Sequence, residues 1–271
     1  MSAFDTKYDF FQFAQMVRTE RRRVFPGKAK KFLTAVGSAG KARAYPLKQG
    51  SRLYRAQLGS EFVVRDEETA IEEEVPLPKS RMTPDPRFIK AGGRANPPGF
   101  AYLYLATTPE TALAEMRPWV GEAISLALFE IQRPIKVVVC RAGEEAAGER
   151  LFDENPPADK IASYVWNDIS RAFARPVNRE DQDTAYLPTQ ILAEVFKANG
   201  FDGVAYRSGL EQGTNLALFD LTAATLVHQF VYTTKKVRYD FEAVPNFGIY
   251  RRERDGSGGK YLDSIHTESP H

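Results

Sequence analysis

Apolar and polar positions along the chain predict helices at its beginning and strands from about residue 50 onward. The stretch SRLYRAQLG (51–59) alternates between apolar and polar residues and therefore indicates a strand that carries Arg55. We expect a helical N-terminal extension, residues 1–49, ahead of a main domain over residues 50–250. Residues 4–35 are predicted to be helical. They carry two apolar stripes with helical spacing: Phe10, Phe11, Phe13, Ala14 and Val17, then Phe32 and Leu33 with Val36 just beyond.

The main domain mixes strands and helices without a regular β–α–β alternation, which favours an α+β fold. Pro and Gly in residues 76–98 predict a loop, residues 142–185 contain a polar insert, and residues 251–271 lack periodicity and predict a flexible tail. The predicted elements are strands over Ala101–Ala106, Ala123–Ile131, Ile135–Cys140, Phe201–Arg207 and Leu216–Leu221, and helices over Pro109–Pro118, around Lys160–Phe173 and over residues 187–200.

Composition and charge exclude several classes of protein. The net charge of +2 over 271 residues argues against a dedicated nucleic-acid binder. No apolar run is long enough to cross a bilayer and the N-terminus has no signal-peptide pattern, so we expect a cytoplasmic protein without a membrane partner. The single cysteine, Cys140, ends an apolar run, which indicates a buried thiol.

Two opposite charge runs stand out. Residues 18–31 hold seven basic residues and one acid, and residues 66–74 hold six acids. The simplest interpretation is two solvated faces, or one run paired with the other; the alternative is a docking surface for a partner.

The motifs of several common catalytic sites are missing. The sequence contains no CxxC or HExxH zinc motif, no phosphate-binding GxxxxGK[ST] loop and no GxGxxG dinucleotide motif. Two of the three histidines lie in the tail, which leaves no arrangement typical of nucleophilic catalysis. We therefore expect no metal site.

The remaining candidates are polar residues at the ends of predicted strands and helices. Arg94 follows two glycines and can grip a phosphate, or it bonds to carbonyls or solvent. Arg55 in its strand needs water or an anion. Glu115 borders an apolar helix face where neither capping nor the helix dipole explains it, although pairing with Arg117 or solvent remains the alternative.

Three more residues complete this set. Tyr104 can stack on a ring or pack in the core. Ser208 and Asn215 bracket a glycine-containing loop, where they can contact a ligand or stabilise the turn.

Together these stretches resemble the RES domain family, which is named for an arginine, a glutamate and a serine. The resemblance covers roughly residues 50–222, and the order of the segments is more specific than any one of them. It rests on LYRA (53–56), GGRANPPG (92–99), YLYLATTPETALAEM (102–116) and GFDGVAYRSGLEQGTNLALFD (200–220). The chain departs from compact members by its length and by Ala95, where an aromatic residue is common.

The resemblance implies a fold similar to ADP-ribosyltransferases, with a mixed or antiparallel β core and surrounding helices. It implies NAD as the substrate, no further cofactor, and cleavage of the nicotinamide–ribose bond by water or phosphate. Many members are toxins of bacterial toxin–antitoxin pairs, so an antitoxin and a second copy of the chain are the protein partners to consider. The alternatives are a protein ADP-ribosyltransferase and a non-catalytic nucleotide-binding or interaction module.

The resemblance also assigns residue roles. It places the family glutamate at Glu115, the serine at Ser208 and the arginine at Arg55 or Arg94. Tyr104 matches the ring near the nicotinamide. With Arg94, the residues expected to contact NAD are Gly93, Asn96 and Asn215.

Overall fold

The computed structural model describes residues 3–20, 24–66, 70–141, 153, 156–177, 182–238 and 241. The chain divides into two compact units, Met1–Lys235 and Lys236–His271, and every element below belongs to the first. The predicted tail and residues 142–152 of the predicted polar insert lie outside the described residues.

Helices occupy the beginning and the middle of this unit. Two of them, α1 and α2, form the N-terminal region, and α4 carries Glu115 as its last residue. The helices are α1 (Asp9–Thr19), α2 (Gly27–Gly40), α3 (Lys79–Met82), α4 (Pro109–Glu115), α5 (Ala158–Ala174), α6 (Gln182–Ala185) and α7 (Leu187–Ala198).

The strands form one large sheet and a separate hairpin. The hairpin consists of β3 (Glu61–Asp66) and β4 (Ile71–Val75). The large sheet contains β1 (Ala44–Leu47), β2 (Arg52–Leu58), β5 (Leu103–Ala106), β6 (Ala123–Ile131), β7 (Ile135–Cys140), β8 (Gly203–Arg207), β9 (Thr214–Leu218) and β10 (Ala224–Thr233).

Within the described chain the large sheet has the order β1-β7-β8-β9-β5-β2-β6-β10. Neighbouring strands in this sheet pair antiparallel, apart from β7 and β8, which pair parallel. The contact between β2 and β5 is the weakest: it consists of the single registered pair Tyr54↔Ala106. The sheet therefore opens between these two strands.

Apolar side chains pack on both faces of the sheet. One cluster joins α1, α2, α5 and α7 to the sheet, with Phe196, Phe173 and Val138 fully buried in it. A second cluster around Phe129 and Leu218 fills the opposite face. Burial of such side chains contributes roughly 1.5–3 kcal/mol each, so these two clusters hold the sheet and helices together.

The predicted α+β class is confirmed, as are the helices and strands from residue 101 to residue 218 within a few residues. In the N-terminal region the two predicted stripes lie on two separate helices, α1 and α2. Phe11 is 61% exposed and does not belong to the predicted stripe. It lies one position past the buried face formed by Phe10, Phe13, Ala14 and Val17.

The predicted pairing of the two charge runs has no ion pair to support it among the described residues. Arg65 instead pairs with Glu73 inside the hairpin, and Lys31 pairs with Asp5. The other form of the simplest interpretation, in which each run is a solvated face, agrees with the exposed side chains of β4.

Phe196→Ala should lower the free energy of unfolding by about 3–5 kcal/mol, because the ring is fully buried between Trp166 and Phe201. Urea unfolding followed by circular dichroism measures the change. Phe11→Ala, at an exposed position of α1, is the matched control and should change stability by no more than about 0.5 kcal/mol. Equal losses in both variants would contradict the placement of the core.

Candidate active site

The opening between β2 and β5 places Arg55 at the base of a cleft. Arg55 lies next to Tyr54, whose pair with Ala106 is the last contact before the strands separate. Its Nη1 donates a hydrogen bond to the Tyr104 carbonyl at 3.1 Å. Its Nε is buried and has no hydrogen-bond partner among the described residues. A buried donor without a partner is costly, so a ligand oxygen that reached this atom would relieve that cost.

The loop at residues 92–99 closes over the cleft from the side of β5. Tyr104 fixes it, because its hydroxyl donates to Asn96 Oδ1 at 2.6 Å and accepts from the Ala95 amide at 3.0 Å. The side-chain Nδ2 of Asn96 in turn donates to the Phe100 carbonyl at 2.7 Å. Asn96 therefore serves the loop itself.

Helix α7 holds the other side of this loop. Thr189 donates to the Arg94 carbonyl at 2.6 Å, and Gln190 donates to the Gly93 carbonyl at 2.8 Å. A Cβ on Gly93 would lie 2.5 Å from the Tyr104 hydroxyl, so the close approach of loop and strand requires glycine.

Arg94 points across the cleft toward the end of α5. Its Nη1 donates to the carbonyls of Phe173 at 2.8 Å and Arg175 at 2.6 Å, and its guanidinium lies 5.7 Å from the centre of the Tyr186 ring. A cation at the carboxyl end of a helix is favourable because unpaired carbonyls collect there. The carbonyl-bonded arrangement that the sequence left open for Arg94 is therefore present, although the residue also lines the cleft.

Helix α4 delivers Glu115 to the opposite wall. Thr108 caps its start by accepting from the Thr111 amide, and Pro109 occupies its first position. Arg117 takes a left-handed backbone (φ 50°) just past the helix, which ends the helix and leaves Glu115 as its last residue. The carboxyl end of a helix disfavours an acid, so helix electrostatics do not explain Glu115.

Two side chains from the β8–β9 hairpin bind Glu115. Its Oε1 accepts from Ser208 Oγ at 2.7 Å and from Asn215 Nδ2 at 2.6 Å. Ser208 Oγ also accepts from the amides of Leu210 and Glu211, at 3.2 and 3.3 Å. Oε2 has no hydrogen-bond partner in the described part of the chain. Because Glu115 lines the cavity, the fixed carboxyl can present Oε2 to a ligand.

The cleft is a cavity of about 330 Å³, a size typical of small-molecule sites. Its charged lining residues are Arg55, Arg94 and Glu115, two cations and one acid. Its uncharged lining includes three tyrosines and an asparagine: Tyr104, Tyr186, Tyr206 and Asn215. This combination suits a ligand with an anionic part, a polar part and a ring.

Burial shapes the electrostatics of the cleft. It lowers the pKa of Arg55 to about 10, which still leaves the guanidinium charged at neutral pH. It raises the pKa of Tyr104 and Tyr206 above the ordinary value for tyrosine, so both rings remain neutral hydroxyls at neutral pH. An anionic ligand would therefore meet the cation of Arg55, beside that of Arg94, and no tyrosinate.

The structure brings most of the predicted site residues together. Arg55, Gly93, Arg94, Tyr104, Glu115 and Asn215 line the cavity. Ser208 lies behind Glu115, and Asn96 lies behind Tyr104 and faces an adjoining cavity. Both act through a neighbouring residue in this arrangement.

Sequence reasoning missed three tyrosines of the cleft: Tyr54, which neighbours Arg55 on β2, Tyr186 and Tyr206. Tyr206 precedes Ser208 by two residues and pairs with Asn215 across β8 and β9, so strand alternation from Ser208 could have found it. Tyr186 stands just before α7, and no local pattern marks it.

With the geometry in place, comparisons with known proteins give the family. The sequence model of the RES domain matches residues 74–242, more than half of the chain. The chain therefore belongs to the RES domain family. Arg55 lies outside the matched range, although it lines the same cleft as Glu115.

Other comparisons add little. The crystal structure of the M. tuberculosis MbcT–MbcA toxin–antitoxin complex contains a chain that overlaps this one with a TM-score of 0.38 and 15% identity, covering 73% of this chain and 92% of that one. An overlap this loose carries no functional argument. Curated protein sequences gave no match.

The described residues contain no group of three or more His, Cys, Asp or Glu residues placed to hold a metal ion. Among them, too, every helix is too short or too polar for a membrane span.

Gly93→Ala should destabilise the protein by about 1–3 kcal/mol, because its methyl group would force the loop away from Tyr104. Gly27→Ala is the control, since a Cβ there meets nothing within 4 Å at the start of α2, and it should stabilise by up to roughly 1 kcal/mol. Urea unfolding compares the two. A neutral Gly93→Ala would show that the loop does not need this close approach.

Proposed function

We propose that this protein cleaves NAD at the bond between nicotinamide and ribose and transfers the ADP-ribosyl group to water or phosphate. The observation that carries the proposal is the carboxyl of Glu115, fixed by Ser208 and Asn215, in one cavity with the unpartnered Nε of Arg55. Membership of the RES domain family supports the same chemistry.

Glu115 suits the developing charge of this reaction. As the C1′–N bond breaks, its electron pair leaves with nicotinamide, and positive charge grows on the ribose. Because the ring nitrogen of NAD is already cationic, nicotinamide departs as a neutral molecule and needs no general acid. A carboxylate fixed beforehand beside the ribose stabilises the cation without reorganising. Water or phosphate then adds to C1′, and when water adds it releases one of its protons.

Arg55 suits the pyrophosphate. Its Nε is a buried donor with no partner among the described residues, and an arginine bonds a phosphate oxygen through charge-assisted hydrogen bonds. Arg94 lines the same cavity, but its Nη1 is already bonded to the carbonyls of Phe173 and Arg175. We therefore assign the main anion contact to Arg55 and a supporting one to Arg94.

The aromatic side chains suit the nicotinamide. Tyr104 and Tyr206 both line the cavity and both stay neutral. Tyr104 is partly exposed and its hydroxyl is fixed by its bonds to Asn96 and Ala95, whereas Tyr206 is buried with its ring packed on Phe173. Tyr104 is therefore the better platform for a flat ring.

We propose further that the protein is the toxin of a bacterial toxin–antitoxin pair. Every cell needs NAD, so unregulated cleavage would stop growth, and the producing cell would require a protein that inhibits the enzyme. Induced expression should arrest growth while intracellular NAD falls, and Glu115→Gln should do neither. Growth arrest with NAD unchanged would separate the toxin role from NAD cleavage.

Glu115→Gln should lower nicotinamide release from NAD by about 100-fold or more, because it removes the negative charge beside the ribose and keeps the side-chain shape. Glu110→Gln is the matched control: it changes an exposed acid in the first turn of the same helix and should keep full activity. Chromatography of the products, with and without phosphate, measures release and identifies the acceptor. Covalent ADP-ribose on protein instead of free product would indicate the transferase, and unchanged release by Glu115→Gln would contradict the role of the acid.

Arg55→Met and Arg94→Met should separate binding from stability. Arg55→Met should raise the dissociation constant of NAD by about tenfold to a hundredfold and lower the unfolding free energy by no more than about 1 kcal/mol, because the lost bond to the Tyr104 carbonyl is offset by removal of a buried charge whose Nε has no partner among the described residues. Arg94→Met should destabilise by about 1–3 kcal/mol, because two carbonyls at the end of α5 lose their donor. Calorimetric titration, in the Glu115→Gln background to prevent turnover, and urea unfolding measure the two effects. Wild-type affinity in Arg55→Met would remove this residue from the site.

A further inference from the structure

The two edges of the large sheet differ in how they are protected. Natural sheets protect edge strands by short length, by proline and by charged residues. The β1 edge has four residues, includes Pro46, and is flanked by Arg43 and Lys48. The β10 edge has ten residues with no proline and no Lys, Arg, Asp or Glu. The β10 edge therefore lacks these forms of protection.

The backbone of β10 offers hydrogen-bonding groups to the outside. At its end, the Thr234 amide donates to the Glu122 carbonyl at 3.0 Å, and its carbonyl accepts from the Gly121 amide at 2.8 Å. Because backbone groups alternate in direction along a strand, those of Gln229, Val231 and Thr233 point away from β6. No described residue accepts from or donates to these outward groups.

The side chains beside this edge are apolar and exposed. His228, Phe230 and Tyr232 lie on one face, with ring centres 4.4 and 6.5 Å apart, and the last two are 39% and 42% exposed. The turn joined to the end of β10 adds Trp119 and Val120, which are 69% and 63% exposed. Exposed clusters of aromatic residues are typical of protein interfaces.

We propose that β10 is the surface through which two copies of this protein associate, with His228–Thr233 of each copy pairing antiparallel across a two-fold axis. In such an interface the residue on the axis meets its own equivalent, and its neighbours meet residues a few positions away, so a charged residue there would lie close to a like charge on the other copy. The segment from His228 to Thr233 contains no Lys, Arg, Asp or Glu, and its aromatic residues favour cross-strand contacts. A charged partner, by contrast, would find no complementary charge along the strand. The proposal does not rest on the proposed enzymatic function.

Hydrogen exchange on the wild-type chain tests the pairing directly. The amides of Gln229, Val231 and Thr233 should exchange quickly at ~1 µM protein and be protected at ~100 µM, where a weak dimer is populated. Amides at the ends of α1 and α5 should exchange equally at both concentrations. Fast exchange of the three β10 amides at both concentrations, with a monomer mass in sedimentation, would overturn the proposal.

Two variants and one control test the surface by mass. Tyr232→Lys places like charges on both copies near the axis, and Val231→Pro removes one outward amide; each should convert the dimer to a monomer in sedimentation velocity. Tyr45→Lys makes the same kind of change at an exposed position of the β1 edge and should leave the dimer intact. A dimer that persists in a folded Tyr232→Lys or Val231→Pro protein would overturn the proposal, and the exchange result on the wild type decides if neither variant folds.

Discussion

The candidate site depends on the early separation of two neighbouring strands. After Tyr54↔Ala106, β2 continues beside β6 while β5 continues beside β9. The gap exposes the Arg55 guanidinium to a cavity and leaves its Nε unpaired, while its Nη1 bond to the Tyr104 carbonyl keeps contact across the gap. A fully paired sheet would have filled this space with backbone hydrogen bonds. The opening therefore costs stability locally and creates the room that a ligand needs.

The walls of this opening are held in place by hydrogen bonds from neighbouring side chains. Ser208 and Asn215 hold Glu115, and Asn96 holds Tyr104. Such supporting hydrogen bonds fix the rotamers of the groups that act on a ligand. Polar residues singled out from sequence as ligand contacts are thus divided by the structure into those at the cavity surface and those one layer behind it.

Sequence reasoning found the residues that break local rules. Arg55 in an apolar strand and Glu115 at the wrong end of a helix lack a local explanation, and both line the cleft. It failed where the pattern itself was disturbed. The register shift at β10 between Leu226 and His228 interrupts the alternation that marks a strand. The glutamates of β4 have low strand propensity, and the position of Tyr186 depends on the packing of α7 rather than on its neighbours in sequence.

The GGRANPPG loop connects the cleft to the helical layer. Gly93 and Arg94 are held by Gln190 and Thr189 of α7, and Arg94 Nη1 binds carbonyls at the end of α5. The same two helices pack against α1 and α2 in the main apolar cluster. Hydrogen bonds are directional, so a shift of α5 or α7 would be transmitted to the loop that faces Tyr104. The N-terminal helices are distant in sequence from Glu115, but continuous packing links them to one wall of the site. Through this packing α1 and α2 help to stabilise that wall.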